Sequence, residues 1–296
     1  MHGKTYKGGK GMKRFNIYKK IAAEIPNMSK SQLKIANHII KNPHSVPFLT
    51  VGKLAQIVEV SEATVVRFAN FLGYSGYNEL QQIMIDSLEE QLNTVERLEM
   101  SRKVYDETEK GIYEIFEDDI KNIQSTMDSI NIEEFQKVAH DLLKAEKIFI
   151  VANRSAVSLG TFLQYYLEII LGNSELVHST ESAFERIYNV NKHDVVIGIS
   201  FARYTKSTLD IVTYAKQKEA TIVAITDNLL SPIVPYADVS LFSSSQLPSF
   251  LDSFVAPLSV INALITYIGK IKHKEIDQRL EKLEEIWDEY DVFYKK

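Results

Sequence analysis

The chain has 296 residues, 45% of them hydrophobic and 25% charged, with a formal net charge of -5 at neutral pH. That length is comfortable for two domains, and the composition is that of a folded protein, not a disordered one. There is no cysteine, which excludes disulfides, thiolate metal sites and cysteine nucleophiles. No apolar run approaches the roughly 20 residues that span a bilayer, so a cytoplasmic protein without membrane attachment is expected.

The net charge hides an asymmetry. Residues 1–91 carry 12 Lys and Arg against 7 Asp and Glu, and the remainder carries 22 against 32. A basic front and an acidic back suggest two modules with different partners, although five of the front charges fall within the first 14 residues. Residues 1–13 read as a disordered tail, since their KGGKG run has no strand before it.

Residues 14–91 are helical in short pieces. SKSQLKIANHIIKN begins with a Ser29 or Ser31 cap and sets Leu33, Ala36, Ile39 and Ile40 on one face, before Pro43 and Pro47 break it. TVGKLAQIVEV follows with Thr50 as N-cap, then a tight turn around Glu59 and Val60. SEATVVRFANFLGY is opened by Ser61 and closed by Gly73 as a left-handed cap. In it, Val65, Phe68, Ala69 and Leu72 make a buried stripe, and Glu62, Ala63, Val66, Arg67 and Asn70 face outward. A last helix is expected from about Tyr77 to Glu90.

Two short helices around a tight turn fit a helix-turn-helix, which sets the start of its second helix against base edges in the major groove of double-stranded DNA. Ser61 and Thr64 suit phosphate contacts, Arg67 a guanine or a phosphate, and Glu62 a cytosine amino group. Thr50 and Lys53 at the head of the first helix, with Ala63 and Val66 on the second, complete the expected DNA-contacting set. An ordinary helical hairpin shares the cap and the stripe. The outward face of Ser, Thr, Arg and small residues favours DNA.

Residues 90–146 are charged and helical in period, with Gly111 as the only weak point; 92–130 is expected to be a helical connector. From 131 to 296 the character changes. KIFIVA (147–152), ELVHS (175–179), DVVIGIS (194–200), TIVAITD (221–227) and DVSLFS (238–243) are β-type runs. Helical segments near 156–171, 182–190, 206–218 and 251–271 separate or follow them, with a final helix at 275–293. Alternating strands and helices predict a parallel sheet with helices on both faces.

In such a sheet, ligands bind beyond the carboxyl ends of the strands where strand order reverses. The first strand runs into Asn153, Arg154 and Ser155, the third into Ser200, Phe201, Arg203 and Thr205. Both turns precede helices, whose free N–H groups favour an anion. Arg154 and Arg203 can converge on it, or can face solvent or a subunit interface. In SQLPSFLDS (245–253), Ser249 can close the pocket, and Ser249 or Ser253 can equally cap a helix.

The front module resembles the N-terminal domain of RpiR-type bacterial transcription regulators. The residues that carry this are Pro26, Leu33, Ala36, Ile39, Pro43, Leu54, Ala55, SEATVVRF (61–68) and LGYSGYNEL (72–80). The resemblance implies an all-α helix-turn-helix domain followed by an SIS domain, an α/β fold with a five-stranded parallel sheet in a flavodoxin-like αβα sandwich. SIS domains hold sugar phosphates on a first loop ending in serine and a second loop of type SxSGxT. Ser155, Ser200 and Thr205 match those positions, while Ala202 replaces the second serine and Arg203 the glycine. In the first loop, Ala152 and Asn153 stand where glycines are usual. An arginine-assisted grip on phosphate or carboxylate is the natural replacement.

The expected partners are a DNA operator, a small anionic effector and further copies of the chain as a homodimer or homotetramer. Apolar residues of the last helix (Leu280, Leu283, Ile286, Trp287) are candidates for sharing between subunits. No metal or cofactor is called for. A sugar-phosphate isomerase with an accessory helical domain is the rival reading, but it needs a base beside the sugar. Only His178 and Glu181 fall near the expected place. A scaffold that binds other proteins through the acidic half is a third reading.

Overall fold

The computed structural model describes residues 17–43, 45–89, 93–178, 182–271 and 273–294. The expected tail at 1–13 and Glu181 lie outside the described residues. The chain divides into two compact units, residues 1–106 with 248–250, and residues 107–247 with 251–296.

The first unit is all helical: α1 (Ile17–Glu24), α2 (Lys30–Lys41), α3 (Val51–Ile57), α4 (Glu62–Phe71), α5 (Tyr77–Glu89) and α6 (Thr94–Val104). Ser29 caps α2 in a reciprocal capping box with Gln32. Its buried face is Ile35, Ala36 and Ile39, so the expected stripe is turned by one residue and Leu33 and Ile40 are only half-buried. Ile35 takes the central place because α2 is covered by both α1 and α4. The α4 stripe is as expected: Val65, Phe68, Ala69 and Leu72 are buried in one cluster with Ile17, Ile21, Leu54 and Leu80. Tyr77 Oη donates to Leu49 O at 2.9 Å and Gln81 Nε2 to Pro47 O at 2.7 Å, which fixes the segment leading into α3.

The second unit opens with α7 (Glu109–Ser129) and α8 (Ile132–Lys144). The helical break falls at 105–108 and not at Gly111, which is buried within the first turn of α7. Then come β1 (Ile148–Ala152), α9 (Val157–Ile170), β2 (Ser174–Val177), α10 (Ala183–Ile187), β3 (Val195–Ile199), α11 (Lys206–Gln217), β4 (Thr221–Thr226), β5 (Val239–Phe242), α12 (Val255–Ile271) and α13 (His273–Glu289). The five strands are parallel in the order β2-β1-β3-β4-β5. Order reverses between β1 and β3, where Ala152 pairs in register with Ile199.

Both central strands are buried throughout, which is why they read as unbroken apolar runs instead of alternating ones. Ile148, Ile150, Ile197 and Ile199 point to the side covered by α8, α9 and α12. Phe149, Val151 and Val196 point to the side covered by α10 and α11. The last helix is clamped: Arg279 donates to Ile169 O and Glu168 O at the end of α9, its guanidinium lying over Gly172. Leu280 packs on the core beside α9, and Leu283 and Trp287 are half-buried. Only Ile286 of the four residues expected to be shared between subunits is exposed.

Gly198 in β3 faces α11 at close range. A methyl group there would lie 2.9 Å from Val212 Cγ2 and would collide with Ile233 Cδ1. Gly198→Ala is therefore expected to destabilise the second unit by about 1–3 kcal/mol, as overpacked cores do. Urea unfolding followed by circular dichroism measures it, and an unchanged midpoint would show that Val212 and Ile233 yield freely.

Candidate functional site

In the first unit, α3 and α4 are joined by a turn in which Glu59 is left-handed at φ 53°. Asn, Asp or Gly is usual there, so the turn carries some strain. Ser61 accepts from Thr64 N–H at the head of α4, and its hydroxyl lies 2.8 Å from that of Thr64. Arg67 Nη2 donates to Thr64 Oγ1 at 3.1 Å. Ser61, Thr64 and Arg67 thus form one polar row along the outer face of α4, with Ala63 and Val66 exposed beside it. Thr50 caps α3 through Lys53 N–H, and Lys53 is exposed one turn along. Gly73, left-handed at φ 89°, ends α4 with Tyr74 N–H bonding back to Ala69 O. Glu62 is exposed on the outer side, as expected. Its carboxylate leans over Gly52, where a Cβ would come within 2.7 Å of Oε1.

In the second unit, the loops after β1 and β3 lie side by side at the sheet's carboxyl edge. Asn153 is buried, and its Nδ2 donates to the buried Thr208 Oγ1 of α11 at 2.9 Å. Ser155 is exposed at the entry to α9, and its carbonyl accepts from Ser158 Oγ. Ser200 is buried, its carbonyl accepting from Thr226 Oγ1 at 2.6 Å. Phe201, expected beside the ligand, is buried in the core with its ring centroid 5.4 Å from that of Phe254. Thr205 stands at the N-cap of α11 without making a side-chain cap there. Ser249 is not part of this cluster. It groups with the first unit, where its carbonyl accepts from the buried Arg97 Nε.

The two arginines are exposed, and both are left-handed: Arg154 at φ 56° and Arg203 at φ 63°. Each such residue costs about 1–3 kcal/mol unless it is glycine. Both loops at the switch point therefore keep a glycine-type backbone and place a guanidinium on it. The helix starts behind them, of α9 and α11, supply the positive end of a helix dipole.

Both units match known proteins. A helix-turn-helix domain of the rpiR family is recognised over residues 15–91 and an SIS domain over 141–267. An uncharacterized HTH-type transcriptional regulator of Caldanaerobacter subterraneus is 30% identical over 262 residues, 86% of this chain and 91% of its own. The chain belongs to the rpiR family of HTH-type transcriptional regulators. Its fold is also that of Vibrio vulnificus NanR, solved in complex with ManNAc-6P: TM-score 0.56 at 18% identity, covering 95% of this chain and 100% of that one. The sugar isomerase domain of an RpiR transcription factor from Sphaerobacter thermophilus matches with TM-score 0.57 at 21% identity, over 58% of this chain and 97% of that one.

Within this rpiR-family chain the sequence reading passed over Tyr204 and Asp227. Tyr204 Oη lies 2.8 and 3.0 Å from the two carboxylate oxygens of Asp227 and donates to that group. Asn228 N–H also donates to Asp227 Oδ1. Burial pushes the Asp227 carboxyl above its usual range, against these hydrogen bonds. Burial and the neighbouring carboxylate hold the Tyr204 phenol well above its own. The signal was present: an aspartate ends the apolar run TIVAITD, where a strand opens onto the ligand edge. Ser243, next to β5, was also missed. Its Oγ is one of two buried side-chain polar atoms without a hydrogen-bond partner among the described residues. His178 is exposed beyond β2.

A raised carboxyl pKa in the folded state means the native protein holds that proton more tightly than the unfolded chain does. Stability from this group is then greatest in acid and falls as pH rises from about 4 through the elevated value. Asp227→Asn still accepts from Tyr204 and removes the buried charge. It is expected to gain stability relative to the parent as pH rises from about 4 to 7. Thermal melts across that range test this, and a difference constant with pH would refute it.

Proposed function

We propose that the protein is a DNA-binding regulator whose SIS unit senses a small anion, a sugar phosphate or related carboxylate, and that it acts as a homo-oligomer. The observation that carries the sensing half is the pair of left-handed arginines, one in each loop of the switch point. Strain of this kind persists only where the surroundings hold it, and it clusters at ligand sites. Arg154 and Arg203 would balance the anion's charge, with Ser155, Ser200 and Thr205 lending neutral donors and Asn153 tying the loops together. The naming of a sugar phosphate with NanR supports the ligand class.

On the DNA side, Ser61, Thr64 and Arg67 would meet the operator at the start of α4. Thr50, Lys53, Ala63 and Val66 would line the same surface. Glu62, leaning on Gly52, would orient α3 more than it reads a base. One helix-turn-helix reads only a half-site, so two copies are the ordinary route to specificity. The protein would work in the cytoplasm, where its operator is.

One observation favours the isomerase reading: Asp227 is a carboxyl of raised pKa near the loops, as a general base would be. It already accepts from Tyr204, Thr226 and Asn228, so taking a sugar proton would compete with bonds that hold the loop. The relatives' naming as regulators points the same way. Turnover assays on a panel of sugar phosphates test it, and measurable isomerisation would overturn the non-enzymatic reading.

Two substitutions test the binding surfaces. Arg67→Ala is expected to cost roughly 1–3 kcal/mol on the preferred operator while leaving random DNA less affected. Gel-shift titration reads this; an equal loss on all sequences would make Arg67 a phosphate contact. Arg203→Ala is expected to weaken a binding sugar phosphate by about one to two orders of magnitude, the worth of a charge-assisted hydrogen bond. Arg203→Gly should weaken it as much yet stabilise the fold by about 1 kcal/mol, through release of the left-handed strain. Calorimetry and urea unfolding separate the two effects, and a glycine variant that binds as the parent does would remove Arg203 from the site.

A further inference from the structure

Helix α7 has two faces with different fates. One is spent inside its own unit. Asn122 Nδ2 donates to Gln246 O at 2.6 Å, Thr126 Oγ1 accepts from Ser244 N–H, and Asp119 accepts from Ser253 Oγ. With α12 packed alongside, these contacts hold the loop that follows β5. The other face is apolar and open. Ile112, Phe116, Ile120 and Met127 run along it with exposures of 57%, 61%, 53% and 67%, and the exposed Tyr113 stands at their edge. Half-buried Ile123 completes the strip. In a 21-residue helix that is about 30 Å of continuous apolar surface. The solvated side of a helix carries charge there instead.

We infer that this face is covered by α7 of a second copy of the chain, antiparallel to the first about a two-fold axis passing near Asp119. The inference deepens the homo-oligomer reading above by naming the surface. The choice of a second copy rests on charge. At 100° per residue, Lys110, Glu117, Lys121 and Asp128 all fall on one flank of the apolar strip. In an antiparallel two-fold pair each flank faces its own counterpart. A residue then lies opposite the one equally far beyond the axis. Lys110 meets Asp128 of the second copy, and Glu117 meets Lys121 of the second copy. Symmetry doubles both, so one register makes four opposite-charge pairs. A parallel, in-register pair would instead turn this flank toward the opposite flank of the second copy, where these four charges do not meet one another. The antiparallel register also places Ile112 beside Met127 of the second copy, and Phe116 beside Ile120 and Ile123 of the second copy.

The charges are available for this. Lys110 pairs with Glu114 and Lys121 with Asp118 within the helix, but both lysines keep most of their side chains in solvent. Exposed pairs of that kind contribute little and re-form easily. An isologous contact needs each patch to complement itself, and this flank does.

Sedimentation of the full chain between 1 and 100 µM tests the assignment with four variants, each checked for an unchanged circular dichroism spectrum. Glu117→Lys and Lys121→Glu each set like charges opposite one another twice and are expected to weaken association at least tenfold. The double variant regenerates opposite charges across the axis and should return to the parent's behaviour. Phe116→Glu should lose the contact outright. A parent chain that sediments as a monomer throughout would overturn both this inference and the homo-oligomer reading. An oligomer indifferent to Phe116→Glu and to both single reversals would overturn the α7 surface alone. Weakening by each reversal without rescue in the double variant would overturn the antiparallel register.

Discussion

The hydrogen bond from Asn153 to Thr208 is small, neutral and buried, and the carboxyl edge of the sheet in the second unit depends on it. It joins the loop leaving β1 to the first turn of α11, across the one place where the parallel sheet reverses its order. An unpaired amide there would be costly, so the two loops are held in one relative position. Everything else at that edge is arranged around this tie. Phe201 anchors the second loop from below against Phe254, and Tyr204 anchors it sideways on Asp227. Between those anchors Arg203 is left with a conformation it would not choose. The same is true of Arg154, which follows the tied Asn153 directly. The strain is local, while the contacts that enforce it are spread over three strands.

Much of the architecture was legible because burial leaves a strong mark on sequence. The five strands were expected within a residue or two of where they stand; β1, β3 and β4 showed as nearly unbroken apolar runs because they are buried on both faces. The two helices of the DNA-binding motif were legible for another reason: Ser61, Gly73 and the Val65, Phe68, Ala69, Leu72 stripe each obey a local rule. What was not legible depended on partners far away in the chain. Asn122 and Thr126 look like ordinary polar residues of a charged helix until the carbonyl of Gln246 and the amide of Ser244 arrive beside them. Phe201, read as a ligand contact from its place in the loop, turned inward because Phe254 offered an aromatic partner on α12's approach. Ser249 lay within the right segment by sequence but grouped elsewhere.

Charge and shape divide labour between the two units. The first unit carries its polar row on a rigid helix whose far side is sealed by a core of fully buried residues. Ser61, Thr64 and Arg67 are bonded to one another before any partner arrives, so little side-chain freedom remains to be lost on contact. The second unit instead sets its two exposed cations on loops, each at a left-handed position beside a buried anchor.

Arg279 carries a consequence for how the chain ends. By reaching from α13 across Gly172 it supplies the donors that the last carbonyls of α9 would otherwise lack, while Leu280 shields the core beside it. The helix is therefore a lid screwed onto the end of its neighbour and not a trailing arm. A stop codon before it would strip α9 of its terminal donors and open the hydrophobic interior to water, so chain shortening at this end is a change to the core.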